Sequence, residues 1–279
     1  MTNDEDPHGP LDPAMVETVL VERHDARDPG SAAPTEDLVG VEQPLEIRVD
    51  GEPFVVTMRT PGDDLALAAG YLFTEGLIRS AEDLASLEPL TDAMAYDPDN
   101  VVDATLTAVA AERRGEQDRQ RREHLAVSAC GLCGKARLEQ IYRRWPEIES
   151  VEVEPELIER LAPKMEHAQT VFPRTGGVHA AALFDLDGEL LSLTEDVGRH
   201  NAVDKLIGRA LLAGELPWRR RVVVVSSRAG FEIVQKTLMA ETPVLAAVGA
   251  ASSLAVDAAR RGGQTLFSFV RPGRSNRHR

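Results

Sequence analysis

VVVVSSRAGFEIVQKTLMAETPVLAAVGAASSLAVDAARRGGQTLFSFV, residues 222–270, decides the fold. It reads as strand, helix, strand, helix, strand: Val222–Val225, Phe231–Ala240, Val244–Val248, Leu254–Arg261 and Thr265–Val270. Strands this apolar leave no side for water, so the order predicts a parallel sheet covered by helices on both faces. In such βαβ units every strand ends at one edge, where ligands collect. Three strand ends meet that description: Ser226-Ser227-Arg228-Ala229-Gly230, Gly249-Ala250-Ala251-Ser252-Ser253, and Arg271-Pro272-Gly273-Arg274. The first two open helices whose free N–H groups attract anions, and arginines fork onto phosphate oxygens. An anion site at this edge is the expectation, weighed against ordinary turn and cap chemistry.

Upstream, Ala181 to Leu193 predicts a hairpin around Asp187-Gly188. Thr194-Glu195-Asp196 then leads into a helix with Val203, Leu206, Ile207 and Ala210 on one side. Residues 146–168 read as a connector, and a helix is expected from about Lys135 to Trp145. Nearer the N-terminus, Leu45–Val49 and Phe54–Met58 flank an Asp50-Gly51 turn as a second hairpin. Asp63 and Asp64 suit a helix start, Leu65, Ala68, Ala69 and Leu72 its apolar stripe, and Gly76 its end. Val101 to Val109 reads as a strand, and the polar run 111–123 as a surface loop or solvated helix. The expected organisation is a disordered acidic tail over 1–38, a β-rich domain over 39–125, a cysteine loop and helix over 126–165, and an α/β domain over 166–279.

The charge is −15, so nucleic acid and acidic membranes are poor partners for the chain as a whole. It is unevenly spread. Residues 1–50 carry thirteen Asp/Glu against three Arg, a balance of −10, while 258–279 carry six Arg and no acid, a balance of +6. An anionic ligand is therefore expected near the C-terminus. No apolar run reaches the ~18–20 residues of a membrane span, and MTNDEDPHGP has no signal-peptide pattern, which predicts a cytoplasmic protein.

Only two cysteines occur, Cys130 and Cys133, too few for a disulfide framework. A Cys-x-x-Cys pair serves as half a zinc site, as a redox dithiol, or as a nucleophilic, persulfide-bearing pair. Zinc needs two further ligands, and the seven histidines are scattered. Gly131, Gly134, Lys135 and Arg137 give a flexible, electropositive loop before a helix, which favours the thiolate. Elsewhere His179, within Thr175-Gly176-Gly177-Val178-His179, and Arg199 and His200, beside Asp196 and Asn201, form dense polar islands between apolar segments.

S-x-C-G-x-C-G, T-G-G-x-H-A-A, E-D-V-G-R-H-N-A-V-D-K, S-S-R-x-x-x-E-x-V-Q-K, P-x-L-A-A-V and R-x-G-R-x-N occur in this order over roughly residues 40–276. Together they resemble the FdhD/NarQ family of formate dehydrogenase accessory sulfurtransferases. Gly230, Ala251, Ser275 and His278 depart from the family pattern. The resemblance implies a sulfur carrier that takes persulfide sulfur from a cysteine desulfurase. It would deliver that sulfur to a molybdenum bis(molybdopterin guanine dinucleotide) cofactor required by formate dehydrogenase. It further implies a homodimer whose α-β-α C-terminal domain is related to the cytidine deaminase fold. The residues themselves predict a smaller β-rich N-terminal domain and, with no further cysteines and no H-x-E, no structural metal. Cys130 is expected to carry the persulfide with help from Cys133. Phe269, Val270, Arg271, Pro272, Gly273, Arg274, Ser226, Ser227, Arg228, His179, Arg199 and His200 are expected to bind the cofactor. Two rivals remain. A zinc deaminase-like hydrolase needs H-x-E before its P-C-x-x-C, yet Ala181 stands two places after His179 and the cysteines precede it. A non-catalytic cofactor chaperone would leave the cysteines incidental.

Overall fold

Residues 9–24, 34–90, 100–114, 145–146 and 148–278 are described by the computed structural model of the chain. The expected disordered tail is corrected at two stretches. Strands β1 (Val16–Glu22) and β2 (Pro34–Gly40) pair antiparallel from Val16↔Gly40 to Glu22↔Pro34. Val16, Val19, Val21, Leu38 and Val39 supply β-forming residues that the acidic composition masked in the sequence.

The Asp50-Gly51 hairpin forms as expected. Strands β3 (Gln43–Val49) and β4 (Glu52–Arg59) flank it, with φ of 55° and 78° at its two central residues. Helix α1 (Asp64–Thr74) follows, and Gly76 turns the chain away at φ 74°. Leu65, expected on the buried stripe, is partly exposed, whereas Ala66, Leu67 and Gly70 are buried. Strand β5 (Leu84–Leu90) was not expected from the sequence. Strand β6 (Val101–Leu106) stops short of Val109, and residues 108–114 are helical. The four strands form one sheet in the order β4-β3-β6-β5.

The expected connector at 146–168 is instead largely helix α2 (Pro155–Ala168). Its buried Ile158, Leu161, Ala162 and Met165 recur at helical spacing between charged residues. A short turn, α3 (Phe172–Thr175), precedes the hairpin of β7 (His179–Phe184) and β8 (Leu190–Asp196). Glu195 and Asp196 thus end a strand and lead, as expected, into the helix that follows. Then come α4 (Arg199–Leu212), β9 (Val222–Val225), α5 (Phe231–Met239), β10 (Val244–Ala247), α6 (Ser253–Gly262), β11 (Thr265–Arg271) and β12 (Arg274–His278). The sheet order is β12-β11-β10-β9-β7-β8, with β9, β10 and β11 parallel. Pro272 and Gly273 form a tight turn after β11, and the chain then returns as the unexpected antiparallel strand β12.

Alternation along the strands divides the core in two. Leu183, Val223, Val225, Leu245 and Leu266 share one cluster with α4, α5 and α6, and α1 joins them there. Phe184, Val222, Val224, Val244 and Phe267 share the other with Ile158, Leu161 and Met165 of α2. This is the expected α-β-α layering.

The N-terminal sheet joins this domain through α1 and α4. A Cβ at Gly70 would lie 1.9 Å from the Asp204 carbonyl oxygen, and one at Gly208 would lie 1.8 Å from that of Ala66. The helices run antiparallel in backbone contact, and only glycine fits at either crossing point.

Candidate functional site

The Glu195 to Lys205 motif is densely charged, yet most of it is internal. Glu195 accepts hydrogen bonds from Gln169 Nε2 (3.1 Å), from the backbone N–H of Thr170 (2.7 Å), Val171 and Phe172 (both 2.9 Å), and from the Thr170 hydroxyl (3.2 Å). Its carboxylate sits where α3 begins and satisfies the free donors there. Asp196 is fully buried and accepts from the N–H groups of Thr60 (3.1 Å) and Gly198 (2.8 Å) and from Asn201 (3.1 Å). Lys205 pairs with it at 2.7 Å and donates to the Thr60 carbonyl at the same distance. Asn201 donates to the Met58 carbonyl. Lys236 donates to both oxygens of Asp204 at 2.8 Å, and Thr74 adds a third bond. Burial pushes the Asp204 carboxyl up, while Lys236 and Thr74 pull it down. These groups rivet the first sheet to the second.

Three motif residues stay near solvent. His200 Nε2 lies 2.9 Å from a carboxylate oxygen of Glu232, at the start of α5, and Arg199 is exposed. Across the sheet end, His179 stands opposite Asp196 in the strand register. Burial first, then Arg199 and His200, hold the His179 imidazole below its ordinary value, against a smaller upward pull from Asp196. A neutral ring is favoured near neutral pH, leaving one nitrogen as an acceptor.

The strand ends interlock. Ala229 N–H donates to the Ala250 carbonyl, Ser252 N–H to that of Ala229, and Gly249 N–H to that of Ser227. A Cβ at Gly249 would meet the Arg228 Cα at 2.8 Å, so the two loops touch through backbone. Phe269 N–H donates to the Gly249 carbonyl, and Arg271 Nη1 donates to the carbonyls of Val248 (2.8 Å) and Val270 (2.7 Å). A bulge between Ser268 and Arg271 leaves Phe269 42% exposed at φ 52°, a conformation that costs a non-glycine residue about 1–3 kcal/mol. Between this edge and α2 lies a cleft of about 600 Å³, within the usual range for small-molecule sites. Met165, Phe172, Val178, Val248 and Val270 supply apolar wall, and Glu166, His179, Ser226 and Arg271 supply polar groups.

A sequence model of the FdhD/NarQ family matches residues 40–278. The chain belongs to the FdhD/NarQ family. Curated relatives named sulfur carrier protein FdhD include one from Streptomyces coelicolor, 47% identical over 251 residues, covering 88% of this chain and 89% of the relative. One from Corynebacterium efficiens is 47% identical over 247 residues, covering 87% and 89%. One from Mycobacterium tuberculosis is 44% identical over 246 residues, covering 84% and 87%. Among solved structures, a Desulfotalea psychrophila protein described as a formate dehydrogenase accessory protein superposes with a TM-score of 0.70. At 24% identity, over 94% of this chain and 95% of the other, it shows a shared fold.

Within this FdhD/NarQ chain, His179, Ser226, Val270, Arg271 and Pro272 come together in lining the cleft. Phe269, Gly273, Arg274 and Arg228 border the same edge as exposed residues outside the lining, while Ser227 is buried, its hydroxyl donating to the Arg228 carbonyl. Arg199 and His200 flank His179 without lining the cleft. Cys130 and Cys133 lie outside the described residues, as does all but Trp145 of the helix expected to follow them. The sequence reading missed Glu166, which lies in the segment 146–168 taken for a connector, and Gln169 and Phe172, which follow that segment. Glu232 stood in plain view within S-S-R-x-x-x-E, but only the fold sets it against His200. No helix of the described residues is long and apolar enough to cross a membrane.

Proposed function

We propose that this chain is a sulfurtransferase of the carrier type. It accepts persulfide sulfur from a cysteine desulfurase on Cys130 and passes it to a molybdenum bis(molybdopterin guanine dinucleotide) cofactor destined for formate dehydrogenase. The observation that carries this reading is 47% identity across 88% of the chain to relatives named as sulfur carriers. The cleft supports the cofactor half of the reading. Its donor set suits a diphosphate: the Arg271 guanidinium and the hydroxyl of Ser226, beside helices that begin at Gly230 and Ser252. In an acidic chain these groups place positive charge where a polyanion needs it.

Loading is a transpersulfidation. The Cys130 thiolate attacks the outer sulfur of the desulfurase persulfide, and the desulfurase cysteine leaves as a thiolate. For delivery, the Cys133 thiolate attacks the inner sulfur of the Cys130 persulfide. A Cys130–Cys133 disulfide forms and hydrosulfide is released to the cofactor, the two thiols supplying the two electrons. The carrier acts as a homodimer in the cytoplasm, holding the cofactor at Phe269–Arg274 and the adjoining strand ends.

The test is intact mass after incubation with a cysteine desulfurase and cysteine. The wild-type chain should gain one sulfur, Cys130→Ala should gain none, and Cys130→Ala should not support formate dehydrogenase activity in cells. Normal activity with Cys130→Ala would overturn the assignment of the persulfide to Cys130.

A further inference from the structure

We propose that Glu166 reads the hydrogen-bonding edge of a 2-amino-oxopyrimidine ring bound in the cleft between α2 and the strand ends. Guanine and pterin share this edge, so either end of the proposed cofactor presents it. The inference rests on the cofactor reading of the cleft and adds which group selects the ring.

Glu166 stands on the last turn of α2, directly after the buried Met165, and lines the cleft with Phe172, Val178, Val270 and Arg271. It is exposed, and its carboxylate has no hydrogen bond or ion pair among the described residues. The nearby Glu195 is different, saturated by donors from Gln169 to Phe172. A carboxylate in the wall of a polyanion site, on a chain of charge −15, is unfavourable for phosphate binding. It becomes favourable when the ligand presents two adjacent N–H donors. Guanine offers them at N1–H and the 2-amino group, matching the two oxygens of one carboxylate. Hypoxanthine lacks the amino group, and adenine offers an unprotonated ring nitrogen that repels the carboxylate. The apolar wall accepts the flat ring, and Arg271, in the same lining, is left for phosphate. Glu166 would therefore set base specificity while Arg271 contributes affinity for any nucleotide diphosphate.

The test is calorimetric titration of guanosine diphosphate, inosine diphosphate and free pterin into the full-length wild type and Glu166→Ala. Because the side chain has no partner to lose among the described residues, the variant should melt with the wild type. Guanosine diphosphate should bind the wild type about tenfold tighter than inosine diphosphate, and Glu166→Ala should erase that preference by weakening guanosine diphosphate more than inosine diphosphate, which keeps only the N1–H bond. If pterin affinity falls in the variant instead, the edge reading stands and the ring is the pterin end. Guanine and pterin affinities both unchanged in Glu166→Ala would overturn the proposal. Failure of the wild type to bind either ligand would reject the cofactor reading of the cleft itself, and the proposal with it. Sulfur loading at Cys130, measured by mass, reports separately on the carrier function.

Discussion

The Glu195–Lys205 segment and the Phe269–Arg274 edge are both rich in charged or polar residues, and the fold treats them in opposite ways. In the first, Glu195, Asp196, Asp204 and Lys205 are buried, and each is matched by donors or a counter-charge. In the second, Phe269, Arg271, Pro272, Gly273 and Arg274 are all exposed, and among the described residues the guanidinium of Arg271 hydrogen-bonds backbone carbonyls only. Breaking a buried ion pair costs about 3–5 kcal/mol, because the survivor is left without compensation. An exposed arginine carries little folding energy and is available to a ligand. A motif's polarity therefore does not tell function from architecture. The saturation of its hydrogen bonds does.

The largest expected effect lies at the joint beneath the first segment. Gly70→Ala would drive a methyl into the Asp204 carbonyl, which is backbone and cannot swing aside. Urea unfolding should show a loss of about 4–5 kcal/mol, in the range reserved for exceptional substitutions. Wild-type stability in Gly70→Ala would mean that the two helices are not locked backbone to backbone.

At the open edge the effect should be on ligand and not on fold. Arg274→Ala should leave the urea midpoint and persulfide loading unchanged while weakening guanosine diphosphate about tenfold, as befits one charge-assisted bond. A lowered urea midpoint with intact binding would reverse the comparison.

The smallest effect belongs to His179, which lies between the two regions. Its folded-state pKa is held below the ordinary histidine value by burial and by Arg199 and His200. As pH falls below about 6.5 the unfolded chain takes up the proton first. Stability contributed by the neutral ring is therefore present above that pH and lost as pH falls toward the folded value. His179→Gln should flatten this part of the stability profile between about pH 7.5 and 5.5. An unchanged slope would show that the environment of His179 does not favour the neutral ring.

Several elements were legible because their signals are local. The Asp50-Gly51 turn requires positive φ at both positions, which Asp and Gly accept. Val222–Val225 and Val244–Ala247 are too apolar to face water on either side. Helix α2 was hidden because Pro163 interrupts a highly charged sequence, and its apolar stripe is only four buried residues wide. Strand β12, Arg274–His278, has no strand signature at all, and pairing with β11 alone makes it one.

From sequence alone came the α/β architecture, the strand-end edge, and the ordered motifs that carry family membership, because periodicity and motif spacing are written in neighbouring residues. Tertiary structure alone decided which charged residues are rivets and which are open. Asp196 depends on Thr60, Asp204 on Thr74 and Lys236, and Gly70 on Gly208, and each partner is brought in by long-range packing. The same packing brought Glu166 and Arg271, residues far apart in the chain, to line one cleft between α2 and the strand ends. Burial and hydrogen-bond saturation are properties of a residue's surroundings, and a sequence lists only its neighbours along the chain.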